Sequence, residues 1–281
     1  MTLSGTGIWS FELRHHDPAE IADAAAELES LGYRAVWIPD IGGDVYTAVE
    51  RLLEATTAMT VATGILNIWK HDAAEVAARR ASWSADWQER FLLGLGVSHA
   101  PLIGDAFAKP MDVTRAYLDA LDAAGVPQSA RALAALGPKM LELARDRTAG
   151  AHPYLVTPEH TAMAREALGD GPLLLVEQGV VVGTDPDIAR MVARQALANY
   201  LALPNYCNNW RRLGFTEEDL ANGGSDRLVD EVIAWGDVDT IAARIAAHRA
   251  AGADHVCIQV HVAANSPMPR ALWRDLAPAV V

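Results

Sequence analysis

The chain has little that would commit it to extracellular, nucleic-acid or metal chemistry. Of its 281 residues only two are cysteines, Cys207 and Cys257, fifty positions apart and without metal-like spacing. That usage predicts a reduced, cytoplasmic protein. Positive charge is scarce as well: 23 Lys plus Arg face 36 Asp plus Glu, a formal net charge of −13. A field of that sign repels nucleic acid and anionic membranes, so an anionic ligand needs a local cluster of donors. The start, Met1-Thr2-Leu3-Ser4-Gly5, has neither the basic opening nor the apolar run of a signal peptide. No apolar stretch reaches membrane-spanning length. A Walker loop, a His-Glu-x-x-His pair and a Gly-x-Ser-x-Gly elbow are all missing. The only lysines are Lys70, Lys109 and Lys139, none inside a clear strand, which argues against Schiff-base chemistry.

What is present is a repeated grammar of β-rich run, turn and Ala-rich helix ended by glycine. Gly7-Ile8-Trp9-Ser10-Phe11 reads as a first strand. Asp17 and Pro18 then open a helix, with Glu20 spaced for a capping box, and Gly32 stops it. Ala35–Ile38 is the second strand, Met59–Ile65 the third and Phe91–Val97 the fourth. Helices are expected over 72–88 and 112–124. Arg131–Leu136 is the fifth strand, Thr148–Val156 contains the sixth, and Leu173–Val182 is the seventh. A long helix from Asp185 to about Leu203 and a helical excursion over 204–235 follow. Asp237 then caps the last barrel helix, and His255–Val262 closes the barrel. Eight alternating units over 1–281 predict a single (β/α)8 TIM barrel. The rival, a doubly wound sheet, calls for a glycine-rich turn after its first strand, where this chain has Glu12-Leu13-Arg14-His15-His16.

In such a barrel the polar residues just past the strand C-termini are the ones to weigh. With their neighbours, the candidates are Asp40, then Thr63, Gly64, Ile65 and Asn67, then Ser98 and His99, then Gly137, Pro138 and Lys139, and finally Gly150, Ala151 and His152, where the sixth strand begins or ends. Asp40 reads either as a ligand acceptor or as a turn aspartate satisfied by backbone amides. His99 is a candidate proton donor, because imidazole titrates near neutrality, and equally a loop histidine without a role. Gly137-Pro138-Lys139 combines free helix amides with an ammonium, which suits a phosphate; the plainer reading is a helix start with a solvated lysine. Trp9 and Trp37 read as core.

The order of Ala35-Val36-Trp37-Ile38-Pro39-Asp40, Val61-Ala62-Thr63-Gly64-Ile65 and Glu89-Arg90-Phe91-Leu92-Leu93-Gly94-Leu95-Gly96 resembles the luciferase-like monooxygenase superfamily. So do Gly137-Pro138-Lys139-Met140-Leu141-Glu142-Leu143-Ala144 and Ala251-Gly252-Ala253-Asp254-His255-Val256. Tyr154–Glu159, Leu203-Pro204-Asn205-Tyr206 and Arg211-Arg212-Leu213-Gly214-Phe215 resemble its coenzyme F420-dependent oxidoreductases of actinobacterial type. The resemblance implies hydride transfer between a deazaflavin (FMN in sister groups) at the barrel mouth and a small organic substrate, and a homodimer. It puts Asp40 by the ring; for such a reaction His99 is the leading candidate acid or base, with Asp40 as its orienter. Thr63-Gly64-Ile65 falls at a third-strand bulge that often holds a non-proline cis peptide in relatives. Ser98 and His99 fall by the ring edge or tail, and Gly137, Pro138 and Lys139 by a phosphate. Where some relatives have a histidine after the strand-two aspartate and an acid ending strand four, this chain has Ile41 and Val97. Their proton donor therefore does not transfer. An FMN-dependent monooxygenase using reduced flavin and oxygen, and a barrel that binds deazaflavin without turnover, stand as alternatives.

Overall fold

A computed structural model describes residues 2–99, 103–104 and 109–281. In chain order the strands are β1 (Gly5–Trp9), β2 (Ala35–Ile38), β3 (Thr60–Thr63), β4 (Leu66–Asn67), β5 (Phe91–Gly96), β6 (Arg131–Leu133), β7 (Gly150–Ala151), β8 (Leu173–Val182), β9 (Ala234–Gly236) and β10 (His255–Val260). Each pairs in parallel with its neighbours. The ring closes where β10 joins β1 (Gly5 opposite His255) and β8 (His255 opposite Leu175). β3 and β4 are two halves of one barrel strand, interrupted at Gly64-Ile65. This is the eight-stranded TIM barrel that the βα grammar predicts.

Side-chain size sets the interior. Trp37 fills the barrel beside Ala35, Ala62, Ala132, Leu92, Leu175 and Cys257, all buried. A bulky indole fits there because small residues face it from the other strands. It donates from Nε1 to His255 Nε2 at 3.2 Å and stacks on the His152 ring, centroids 4.2 Å apart. The shell between strands and helices is a second, larger apolar layer that includes Ile8, Val36, Ile38, Val61, Leu93 and Ile258. Both tryptophans read as core are buried, Trp9 nearly so and Trp37 completely.

Several sequence expectations shift in detail. The helix expected over 72–88 is two, Ala73–Ala81 and Ala85–Arg90, because Ser84 caps the second through the Trp87 amide. Asp17 caps its helix as expected, but Glu20 turns to His16 (3.2 Å) instead of completing a capping box. The long helix ends at Leu197, and a separate 3-10 turn spans Tyr200–Ala202. The excursion holds helices Pro204–Arg212, Glu217–Leu220 and Asp226–Val232 and the unexpected strand β9, which pairs with Val180–Val182 of β8. It has its own apolar cluster around Trp210, Phe215, Leu228 and Val232.

Aspartate caps account for part of the acidic composition: Asp17, Asp44, Asp72, Asp185 and Asp237 each accept from amides of the first helical turn. Asp185 accepts from Asp187 N at 3.0 Å and Ile188 N at 3.2 Å. Asp185→Ala is expected to cost about 1 kcal/mol, read as a lowered urea midpoint with an unchanged slope. Among the described residues no helix is long and apolar enough to cross a membrane.

Candidate active site at the barrel mouth

The C-terminal end of the barrel is built around the break in the third strand. The Gly64–Ile65 peptide is cis, as the resemblance implied. Gly64 sits where no side chain fits: a Cβ there would lie 2.4 Å from Trp9 Nε1 and 3.3 Å from His152 Nε2. The Trp9 indole donates to Gly64 O at 3.1 Å, and Thr63 Oγ1 donates to Gly94 O at 2.8 Å. Ile65 turns towards Gly96, whose absent Cβ makes the room. Thr63, Gly64, Ile65 and His152 therefore meet at one wall, with Trp9 added.

His152 is buried. Its Nδ1 donates to Leu175 O at 2.7 Å, while Nε2 has no partner. Burial lowers its pKa to about 4, so the ring is neutral at physiological pH and Nε2 is a bare acceptor. Gly150 and Ala151 are the strand β7 itself. Gly150 presses on the Leu173 backbone, and Ala151 packs in the outer shell, away from the interior. Of that trio only His152 reaches the wall.

Asp40 is taken up by its own neighbours. Its Oδ2 accepts from Asn67 N at 3.1 Å and lies 3.0 Å from His71 Nε2, while Lys70 Nζ donates to Asp40 O at 3.1 Å. Asp40 thus has a backbone amide as one partner and, as the other, a histidine 31 positions away that no spacing rule places there. Asn67 accepts in turn from Trp69 N at 3.1 Å. This cluster fastens β4 to the end of β2 beside the bulge.

Ser98 adopts φ 53°, a left-handed turn that sends the chain on to His99. Burial lowers the His99 pKa, partly offset by a hydrogen bond with the Asn205 side chain. Its ring lies 5.7 Å from that of Tyr206 in the excursion. From there an aromatic chain crosses the mouth. Tyr206 meets Tyr200 (4.9 Å) and Tyr154 (6.5 Å), Tyr154 meets Trp9 (5.6 Å), and Trp9 meets Phe11 (4.7 Å). The Tyr154 hydroxyl donates to Gln259 Oε1 at 2.7 Å.

Gly137 caps the helix Pro138–Arg147 without any side-chain hydrogen bond. The cation beside it is Arg212, not Lys139. A Cβ on Gly137 would lie 3.7 Å from Arg212 Nη2, which donates to Leu136 O at 3.4 Å and to Asn209 Oδ1 at 2.9 Å. The exposed Lys139 lines an outer groove with Arg115, Glu142, Asp146 and Arg147.

The residue that the sequence reading passed over altogether is Glu177. It lies on β8 with the same parity as Leu173 and Leu175, so it faces the barrel interior, and it is completely buried. Oε2 accepts from Leu155 N at 2.9 Å; Oε1 has no partner. Burial pushes its pKa up to about 8 against the small opposing effect of that amide. A signal was available: Glu177-Gln178 is the only polar pair in an otherwise apolar strand. Gln178 points outward, to His248 and Val232. His261, just past β10, adds another buried ring nitrogen without a partner.

Comparison with known proteins agrees with this architecture. Residues 2–126 match the family described as luciferase-like monooxygenase. Over its whole length the fold is similar to that of the coenzyme F420-dependent tetrahydromethanopterin reductase from Methanopyrus kandleri (TM-score 0.77, 16% identity, 99% of this chain and 98% of that chain). It is also similar to an F420-dependent secondary alcohol dehydrogenase in complex with an F420-acetone adduct (TM-score 0.73, 15% identity, 100% and 98%). A third similar structure is the oxygenating constituent of 3,6-diketocamphane monooxygenase from Pseudomonas putida in complex with FMN (TM-score 0.66, 16% identity, 100% and 99%). A search of curated protein sequences gives no match. Residues 2–126 thus match the luciferase-like monooxygenase model, within a TIM-barrel fold similar to these structures over the whole chain.

Proposed function

We propose that the protein is an oxidoreductase that holds a deazaflavin of the F420 type at the barrel mouth and exchanges a hydride with a small organic substrate. The observation that carries this reading is the pair of buried ring nitrogens left without partners among the described residues around the mouth, His152 Nε2 and His261 Nε2. Buried polar groups are ordinarily paired, and unpaired ones gathered at the active end of a barrel call for a polar ligand. A planar heterocycle offers several donors and acceptors at its edge, and Gly64 lets the Trp9 indole pack closely on the bulge that would face it. When bound, the cofactor would supply the hydride chemistry; the chain's part is to hold, orient and shield it. Two of the similar folds are those of F420-dependent enzymes, which supports the choice of deazaflavin.

Thr63, Gly64, Ile65 and His152 would wall the ring. Ser98 and His99 would flank it, with His99 as a candidate acid or base. Asp40 and Asn67 would act from behind the bulge by fixing it. The uncapped helix at Gly137, Pro138 and Lys139, through its backbone and with Arg212, would take the phosphate. Titration of the full chain with F420 is expected to show saturable quenching of deazaflavin fluorescence, and the absence of saturable binding overturns the reading. Arg212→Ala is expected to weaken FMN, used as a phosphate-bearing probe, about tenfold (~1.4 kcal/mol). Riboflavin, which lacks the phosphate, should bind the variant and the wild type alike; equal FMN affinity in both proteins removes Arg212 from the phosphate site.

The match of residues 2–126 to luciferase-like monooxygenases supports a second reading, an FMN-dependent monooxygenase. Substrate-dependent oxygen consumption with reduced FMN, and none with reduced F420, would favour it.

A further inference from the structure

Glu177 is an acid placed where an acid is hard to keep. Its carboxyl is completely enclosed, on a strand whose inward neighbours Leu173 and Leu175 are apolar. The ionisable groups that face it come from four other elements: Tyr154 after β7, Tyr200 in the 3-10 turn, Tyr206 in the first excursion helix and Cys257 on β10. All four are neutral when protonated, and burial pushes the ionisation of each one upward. Among the described residues no cation contributes to its environment, and the group favouring its ionised form is the Leu155 amide at 2.9 Å. The amide occupies Oε2. In the neutral acid the proton therefore belongs on Oε1, the oxygen that has no partner. Tyr154, its neighbour across the mouth, already gives its own hydroxyl proton to Gln259.

The geometry points to Glu177 as the proton donor of the barrel mouth, a neutral carboxylic acid whose Oε1–H is offered to the oxygen of an uncharged carbonyl substrate. This rests on the hydride-transfer reading and adds the substrate class and the direction, reduction of a ketone or aldehyde to an alcohol. The carbonyl carbon accepts a hydride from a two-electron-reduced deazaflavin or flavin, and the π pair moves to oxygen. That oxygen takes the proton as the Oε1–H bond breaks. The products are the alcohol, a Glu177 carboxylate and the oxidised cofactor, whose ring N–H proton passes to solvent and balances the proton that Glu177 takes back from solvent before the next turnover. A group inside the barrel thus fills the role left open by Val97 at the end of β5.

The test combines one readout on the unloaded protein with one on turnover. Infrared difference spectra of the full chain should show a protonated carboxyl band that persists through neutral pH and fades through about pH 8, and that Glu177→Gln removes. A wild-type spectrum in which no such band survives at pH 7 overturns the proposal. With cyclohexanone as the probe and reduced F420 as the donor, Glu177→Gln should lower the single-turnover rate by about 10²-fold or more. The variant's F420 affinity should stay the same, and the wild-type rate should fall as pH rises through about 8. A variant that binds F420 and reacts at the wild-type rate overturns the assignment of Glu177. Failure of the wild type to bind F420 overturns instead the cofactor reading on which it rests, and the infrared band separates the two.

Discussion

Glu177→Gln is expected to unfold at a higher urea concentration than the wild type at pH 8, with the gap reduced to about 1 kcal/mol at pH 5. Burial holds the folded Glu177 at about 8, whereas an unfolded glutamate titrates near 4.3. Between those values the unfolded chain releases a proton that the folded one keeps. The unfolded state then binds fewer protons, so stability is fully present below the unfolded pKa and falls as pH rises towards the folded one. The slope is about 1.4 kcal/mol per pH unit, so the accumulated cost is about 3–4 kcal/mol at pH 7 and about 4–5 kcal/mol near pH 8. Above that both states are ionised and the slope vanishes. Glutamine never ionises, and its amide oxygen can still accept from Leu155 N, which Glu177 accepts at 2.9 Å. Urea curves of the two proteins that stay a constant distance apart from pH 5 to pH 8 would show that Glu177 is ionised in the fold. A gain in stability joined to a loss of turnover is the signature of a group kept for chemistry.

The second large effect is expected at Gly94. A Cβ there would stand 1.9 Å from Thr63 O and 3.2 Å from Thr63 C, both backbone atoms of the adjoining strand. Neither can rotate away, and Thr63 Oγ1 holds the same strand to Gly94 O at 2.8 Å. Gly94→Ala must therefore push β3 off β5 immediately before the bulge, at a cost of about 3 kcal/mol or more. The urea midpoint should drop accordingly, and cofactor binding should weaken in whatever fraction remains folded. Gly171→Ala is the control, since a Cβ at Gly171 meets nothing within 4 Å. Equal midpoints for the two variants would mean that the strands accommodate the methyl group.

The barrel was legible because local rules govern it. Asp17-Pro18, Asp185-Pro186 and Asp237 announce helix starts by the chemistry of unpaired amides, and the apolar runs between them announce strands. The third-strand bulge was also legible, through Thr63-Gly64-Ile65. What escaped depends on which residues meet in space. His71 reaches Asp40 across 31 positions, and Arg212 reaches Leu136 across 76. No spacing rule connects such pairs. Lys139 lies near Gly137 in sequence, yet its side chain lines the outer groove. Strand β9 was hidden for a different reason: Ala234–Gly236 is only three residues long and follows directly on a helix. Glu177 alone could have been found earlier, since an acid within an apolar strand has to be explained by either its partner or its task.

Tyr200 and Tyr206 belong to the stretch between β8 and β9, with a hydrophobic cluster of its own, whereas Trp9, Gly64, His152 and Glu177 belong to the barrel strands and the turns that leave them. Floor and ceiling of the mouth are therefore separate inheritances. The floor is tied to strand register and cannot drift without undoing the barrel. The ceiling can be lengthened, trimmed or repacked while the register stays fixed. A lineage built on this plan can change what it admits without changing how it reacts.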